Sequence, residues 1–179
     1  MAFKKLNPEN WDQHDPTSSV FVLVDKNGVS RTPMGGEWAR MILEPGLNDC
    51  VPRDVIELFE VARATVVYGW FFYPLFAVGC EQLFIVHEAA VIHRCKDVGA
   101  PKKAKSFAEK IDWLIGNGFL TESRRVQWTA VRQLRNSAAH KKNQSIFDPT
   151  MAVRNVEIAA ELINELFLTD KIAPQSECD

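Results

Sequence analysis

The sequence predicts an all-α protein, a bundle of about four to five helices that follows an N-terminal extension containing a β-hairpin. From Pro52 onward, apolar residues recur three and four positions apart, which is the period of an amphipathic helix. Before Pro52 the pattern differs. A β-branched and aromatic run, residues 20–24, is followed by Asn27 and Gly28, a pair typical of a hairpin turn.

These patterns divide the chain into an extension, residues 1–51, a helical domain, residues 52–172, and a frayed tail, residues 173–179. Residues 4–19 are polar and are expected to lie as irregular chain on the surface. Glycines and prolines between residues 35 and 52 predict turns on the way to the first long helix. Because an isolated hairpin is only marginally stable, it must pack on the helical body or on a partner.

The run from residue 64 to residue 80 contains no charged side chain, so it could be either a core helix or a membrane span. A span needs about 20 apolar residues, and this run is shorter and contains Pro74. Since proline interrupts a helix, we predict a core helix that is broken near Tyr73 and Pro74. The run and its surroundings are rich in aromatic side chains, and this surplus suggests that some of them face a second subunit.

Capping residues predict where the later helices begin and end. Ser106 or Lys105 begins a short helix, and the Gly-Asn-Gly sequence at residues 116–118 ends it. Thr121 is a plausible N-cap for the next helix. Pro149, directly after an aspartate, fits the first position of the last helix.

Charge is concentrated in one stretch. The whole chain has a net charge of −2 and a pI near 6.1, which argues against a broad surface that coats nucleic acid. Residues 121–142, however, hold six basic residues and one acid, Glu122, so that their net charge is +5 and that of the other residues is −7. This stretch is therefore a candidate anion site, with phosphate as the usual anion. For Lys141 and Lys142, a solvated basic helix end is the alternative.

Other titratable residues give weaker signals. The four cysteines are scattered without C-x-x-C spacing, so no zinc site is predicted. His87 and His93 lie six apart and do not share a helix face; we expect each to be partly buried or at the surface. Residues 1–15 hold no apolar run that suits a signal peptide. A cytoplasmic protein without a metal, a cofactor or a membrane span is the expectation.

The basic stretch, residues 121–142, is predicted to form one helix. Helix geometry places Arg135 and His140 on the flank of this helix. At 100° per residue, with the core-facing Val131 at zero, Arg135 lies at about 40° and His140 at about 180°. Alanines lie between them, and small residues allow another backbone to come close. The pair therefore suits a site between two helices of different subunits better than one inside a single bundle.

Arg135, followed by the polar Asn136 and then by His140 after four intervening residues, resembles the Arg-x4–6-His motif of HEPN domains. These are small helical domains that are often metal-independent RNases. The order of long helix, loop, short helix, tight turn, motif helix and return helix also resembles them. This likeness covers about two-thirds of the chain, residues 52–168, whereas the N-terminal extension does not belong to the pattern.

The resemblance implies a homodimer in which two motifs meet and cleave RNA by attack of a ribose 2′-OH on the adjacent phosphate. His140 would transfer the proton, Arg135 would hold phosphate oxygens, and Asn136 would orient the imidazole or bind the substrate. The catalytic residues implied are thus Arg135, Asn136 and His140. The substrate-binding residues expected beside them are Arg132, Lys141 and Lys142.

Three functions remain open at this point. The first is a homodimeric endoribonuclease, a hydrolase of a defence or toxin–antitoxin system with a cognate protein partner. The second is a HEPN-like module without catalytic activity that binds RNA, a nucleotide or a partner protein. The third is an unrelated helical protein in which the motif is a coincidence. The sequence does not decide whether the protein is an enzyme.

Overall fold

The structure is a computed structural model that describes residues 4–140 and 148–168, with only the backbone described for residues 134–140. Helices account for 63% of the chain, which confirms the all-α prediction. The described residues form six helices and one antiparallel pair of strands. In chain order these are β1 (Leu23–Val24), β2 (Ser30–Arg31), α1 (Gly35–Leu43), α2 (Arg53–Tyr68), α3 (Leu75–Asp97), α4 (Phe107–Gly116), α5 (Arg125–His140) and α6 (Pro149–Leu168).

The predicted helix ends are confirmed where a local side chain or proline fixes them. Ser106 Oγ accepts from the Glu109 amide at 3.2 Å, and the Glu109 carboxylate accepts from the Ser106 amide at 2.7 Å, which together begin α4. Pro149 occupies the first position of α6. Thr121 stands before a 3-10 turn, Glu122–Arg124, that leads into α5, but its side chain caps no backbone N–H.

Helix α3 is the centre of the bundle and packs against α2, α4, α5 and α6. It is long and apolar enough to cross a membrane, with a mean hydropathy of 1.6, yet 56% of that stretch is buried within the fold. Gly79 brings α3 against α2, because a Cβ there would lie 2.5 Å from Val66 Cγ2. The prediction of a core helix, separated from its predecessor at Pro74, is confirmed.

Helix α1 was not predicted, since the glycines and prolines around it indicate turns. Its buried side chains, Trp38 and Ile42, lie four residues apart and therefore share one face. Trp38 Nε1 donates to the Val67 carbonyl at the end of α2 at 3.1 Å. The extension thus contributes to the same hydrophobic core as the bundle.

Asp15 anchors the chain before the hairpin to the turn between α2 and α3. The carboxylate is fully buried and accepts from the amides of Thr17 and Tyr73, each at 2.9 Å. The Asp15 amide donates to the Trp70 carbonyl at 2.8 Å. The expectation that residues 4–19 lie on the surface is therefore wrong at Asp15, because the α2–α3 turn has backbone groups that need partners.

Candidate functional site

The predicted catalytic residues share one helix, because α5 extends to His140. The side chains of Arg135, Asn136 and His140 lie outside the described part of the chain, as do Lys141, Lys142 and the tail, residues 173–179. Arg132 is the predicted site residue whose side chain is described, and its surroundings give the site its local geometry.

Arg132 lines a cleft between α4 and α5 with a volume of about 230 Å³. The side chains of the cleft come from two adjacent turns of α4 and from the first half of α5. They are Phe107, Ala108, Ile111 and Asp112 from α4, and Arg125, Trp128, Thr129 and Arg132 from α5. One wall is thus largely apolar, while the other carries two guanidinium groups.

Arg125 is held by two carboxylates. Its Nε contacts Glu122 Oε1 at 2.5 Å, and its Nη1 pairs with Asp112 across the mouth of the cleft. The hydrogen bonds that Arg125 donates, first to Glu122 and then to Asp112, raise the pKa of Arg125 above its ordinary value. Arg125 thus links the beginning of α5 to α4, and together with Glu122 and Asp112 it forms a group whose formal charge is 1 − 2 = −1.

Two N–H groups of the cleft-lining residues have no hydrogen-bond partner in the described part of the chain. They are Arg132 Nε and Trp128 Nε1, and both atoms are shielded from solvent. The Trp128 side chain is fully buried, whereas Arg132 is half-buried. A buried donor without an acceptor costs about 1–3 kcal/mol of stability, so each of these two groups lowers the stability of the fold as it stands.

His87 of α3 lies behind Trp128, with the two rings edge to face and their centroids 5.5 Å apart. His87 Nδ1 lies 2.7 Å from the Leu83 carbonyl oxygen. Because a carbonyl oxygen can only accept, Nδ1 carries the proton and Nε2 is the unprotonated nitrogen. Burial lowers the pKa of His87 to about 4, and the ring is neutral at pH 7. The expectation of a partly buried or surface position is wrong for His87, which is buried. It is confirmed for His93, half-buried and 2.6 Å from Asp54.

The cleft-facing side of α5 continues towards the motif. At 100° per residue, positions 125, 129, 132, 136 and 140 fall within an arc of about 80°, so they form one row along the helix. Arg125, Thr129 and Arg132 of this row line the cleft. Positions 136 and 140, in the last turns of α5, extend the same row beyond it.

Sequence reasoning missed Trp128 and Asp112 as parts of the site. The spacing of Arg125, Thr129 and Arg132 was a usable signal, because residues four and seven apart stack on one helix face. Nothing in the sequence indicates that Asp112 pairs with Arg125 or that the Trp128 indole lacks a partner. Among the described residues, no group of three His, Cys, Asp or Glu side chains is arranged to hold a metal ion.

Comparison of the chain with protein-family models, curated proteins and solved structures gave no match.

Proposed function

We propose that the protein is a metal-independent endoribonuclease that acts as a homodimer, in a cytoplasmic defence or toxin–antitoxin system. The observation that carries the proposal is the row on α5. It contains Arg132, a guanidinium whose Nε has no partner among the described residues, and it leads to position 140. A phosphate-binding cation and a proton-transferring histidine on one helix face are the groups that RNA cleavage by an internal 2′-OH requires.

In the proposed reaction, His140 accepts the proton of the ribose 2′-OH as that oxygen attacks the adjacent phosphorus. The bond from phosphorus to the 5′ oxygen breaks, and that oxygen receives a proton. The products are a 2′,3′-cyclic phosphate and a 5′-hydroxyl. Arg135 stabilises the negative charge that builds on the phosphate oxygens, and Asn136 orients the imidazole.

The homodimer is proposed because position 140 lies on the flank of α5, where a second subunit can complete the site. The aromatic surplus gives this less support than the sequence suggested. Trp70, Tyr73 and Phe76 are buried in the core of the single chain, whereas Tyr68 is exposed. A dimer would bring two copies of the motif helix together near their C-terminal ends.

The proposal is tested by measuring whether the dimer cleaves mixed-sequence single-stranded RNA. Light scattering identifies the fraction that contains the dimer. His140→Ala should lower the rate at least about 100-fold, since proton transfer by a positioned side chain contributes 10²–10⁴-fold. Arg135→Ala should lose activity as well. Lys102→Ala, at an exposed loop position, is the matched control and should cleave like the parent. EDTA should leave the rate unchanged.

Cleavage by His140→Ala at the parent rate, or its abolition by EDTA, would contradict the mechanism. A second function, RNA binding without cleavage, is favoured by one observation. The described cleft offers hydrogen-bond donors and charge but no histidine. Binding of RNA by a dimer that leaves every RNA uncut would support this second function instead.

A further inference from the structure

We infer that the pocket at the N-terminus of α1 binds the carboxylate group of a small organic acid. The pocket lies between the first turn of α1 and the turn that joins α2 to α3, and it has a volume of about 520 Å³. None of its lining residues belongs to α5. They are His14, Thr32, Pro33, Met34, Gly35 and Trp70. The inference is carried by three unpaired N–H donors at this end of the helix.

The first turn of α1 supplies two of the donors. An α-helix begins with N–H groups that have no partner within the helix. In α1 the Met34 amide donates to Glu37 Oε2 at 2.9 Å, and the Glu37 amide donates to the Met34 carbonyl at 2.9 Å. The amides of Gly35 and Gly36 have no acceptor among the described residues. Both glycines are exposed, so an oxygen can reach these amides without meeting a side chain at either position.

Trp70 supplies the third donor, and its ring is held in place. The side chain is 6% exposed and packs against the rings of Trp38 and His14, with centroids 5.9 Å apart in both pairs. Its Nε1 has no hydrogen-bond partner among the described residues, yet unlike Trp128 Nε1 it is not shielded from solvent. A Cβ built on Gly35 would have Trp70 Nε1 as its nearest neighbour, at 3.7 Å. The indole N–H therefore lies beside the first turn of α1, in the same pocket.

The charge around the pocket suits a ligand with a single negative charge. Arg31 and Glu37 pair with each other at 2.6 Å. Lys4, which donates to the backbone carbonyls of residues 13 and 71, offsets the buried carboxylate of Asp15. With these charges balanced, the N-terminus of α1 adds a positive potential equivalent to about half a unit charge. A carboxylate suits this potential and can accept from two or three N–H groups, whereas a doubly charged phosphate exceeds it.

The remaining space accommodates an apolar group attached to the carboxylate. Pockets for small ligands usually measure about 300–1,000 Å³, and this one is larger than a carboxylate alone can fill. Pro33 and Met34 line it beside the donors, and the Met34 side chain is 70% exposed. An apolar group that covers Met34 removes apolar surface from water. The ligand is therefore a carboxylate joined to an apolar body, and benzoate is a suitable probe.

Two adjacent glycines provide a test variant and its matched control. A Cβ at Gly35 would make an ordinary contact with Trp70 Nε1 and occupy the space beside that donor, whereas a Cβ at Gly36 would meet nothing within 4 Å. Both changes keep every N–H group, and alanine suits a helix better than glycine. Gly35→Ala should therefore lower the affinity for benzoate at least about tenfold, and Gly36→Ala should bind like the parent.

The measurement is an NMR titration of the full chain with benzoate. The Trp70 indole N–H resonance, assigned by its loss in Trp70→Phe, should shift to saturation together with the Gly35 and Gly36 amides. The indole resonance of the exposed Trp11 should not move. Benzamide, which has the same shape without the charge, and inorganic phosphate should both bind more weakly. If Trp70→Phe does not fold, the two glycine variants still decide the outcome.

Several results would overturn the inference, and none of them depends on nuclease activity. The absence of a saturable shift would remove the site. Tighter binding of inorganic phosphate than of benzoate would overturn the carboxylate as its ligand. Equal losses in Gly35→Ala and Gly36→Ala would exclude a role for Trp70 Nε1. Tighter binding of a short peptide with a free C-terminus than of benzoate or of the amidated peptide would replace the small acid by a peptide end.

Discussion

Trp38 and Trp128 are both fully buried, but their indole N–H groups have opposite surroundings. Trp38 Nε1 donates to the Val67 carbonyl at 3.1 Å and so connects α1 to α2. Trp128 Nε1, on the α5 side, has no partner among the described residues. A buried tryptophan N–H is thus hydrogen-bonded in one region and has no acceptor among the described residues in the other.

The contrast extends to the titratable groups of the two regions. The buried carboxylate of Asp15 accepts two backbone N–H groups, whereas the buried ring of His87 keeps Nε2 without a partner in the described chain. Unpaired buried groups reduce stability and are therefore uncommon in native proteins. Arg63 Nε, whose side chain bonds to the Leu43 and Pro45 carbonyls of the N-terminal region, also has no partner among the described residues, so the contrast is one between individual side chains.

The largest expected effect follows from removing the stabilising region. Deleting residues 1–50 removes Phe21, Trp38 and Ile42 from the core. Each fully buried large apolar side chain contributes about 1.5–3 kcal/mol, and a whole domain is stable by only about 5–15 kcal/mol. The truncated chain should therefore show no cooperative thermal transition by circular dichroism. A melting temperature within a few degrees of that of the full chain would show that the extension is a dispensable appendage.

A smaller effect is expected from His87, through pH. Because its folded pKa is about 4 and the ordinary value is about 6.5, the unfolded chain binds a proton in this window that the folded chain does not. The free energy of unfolding should therefore fall as the pH falls, by about 2 kcal/mol between pH 7 and pH 5 from this group. Urea unfolding of His87→Leu should lack this component. His14→Gln, at an exposed histidine, should keep it, and equal pH dependence in all three proteins would refute the assignment.

The smallest effect compares the two tryptophans directly. Trp38→Phe and Trp128→Phe remove similar volumes from buried sites, but only the first breaks a hydrogen bond. Trp38→Phe should therefore cost about 1 kcal/mol more in free energy of unfolding than Trp128→Phe. Denaturant titration of both variants measures this difference. Equal losses would mean that the Trp128 N–H is paired in solution.

The parts of the fold that the sequence predicted are those set by local chemistry. Ser106 and Glu109 cap each other within one turn, and Pro149 suits the first position of α6 whatever surrounds it. Helix α1 was missed because its glycines and prolines resemble turn signals, while its burial depends on a distant α2. His87 was misjudged because helical periodicity does not reveal how many neighbouring helices cover a face.

The site divides in the same way. Charge clustering identified Arg132 in advance, because a net charge of a stretch is readable from the sequence. The sequence could not predict that the Trp128 N–H lacks an acceptor, because this depends on which atoms of the neighbouring helices lie near it. The roles of Arg135, Asn136 and His140 stay predictions that the cleavage experiments test.

The buried bond between Asp15 and the Tyr73 amide has a consequence for how the chain is made. The two residues are 58 positions apart in the sequence. At a synthesis rate of about 5–20 residues per second, Asp15 is synthesised roughly 3–12 s before Tyr73. The segment around Asp15 can dock only after the turn between α2 and α3 has been synthesised, so its final position depends on residues that are made later.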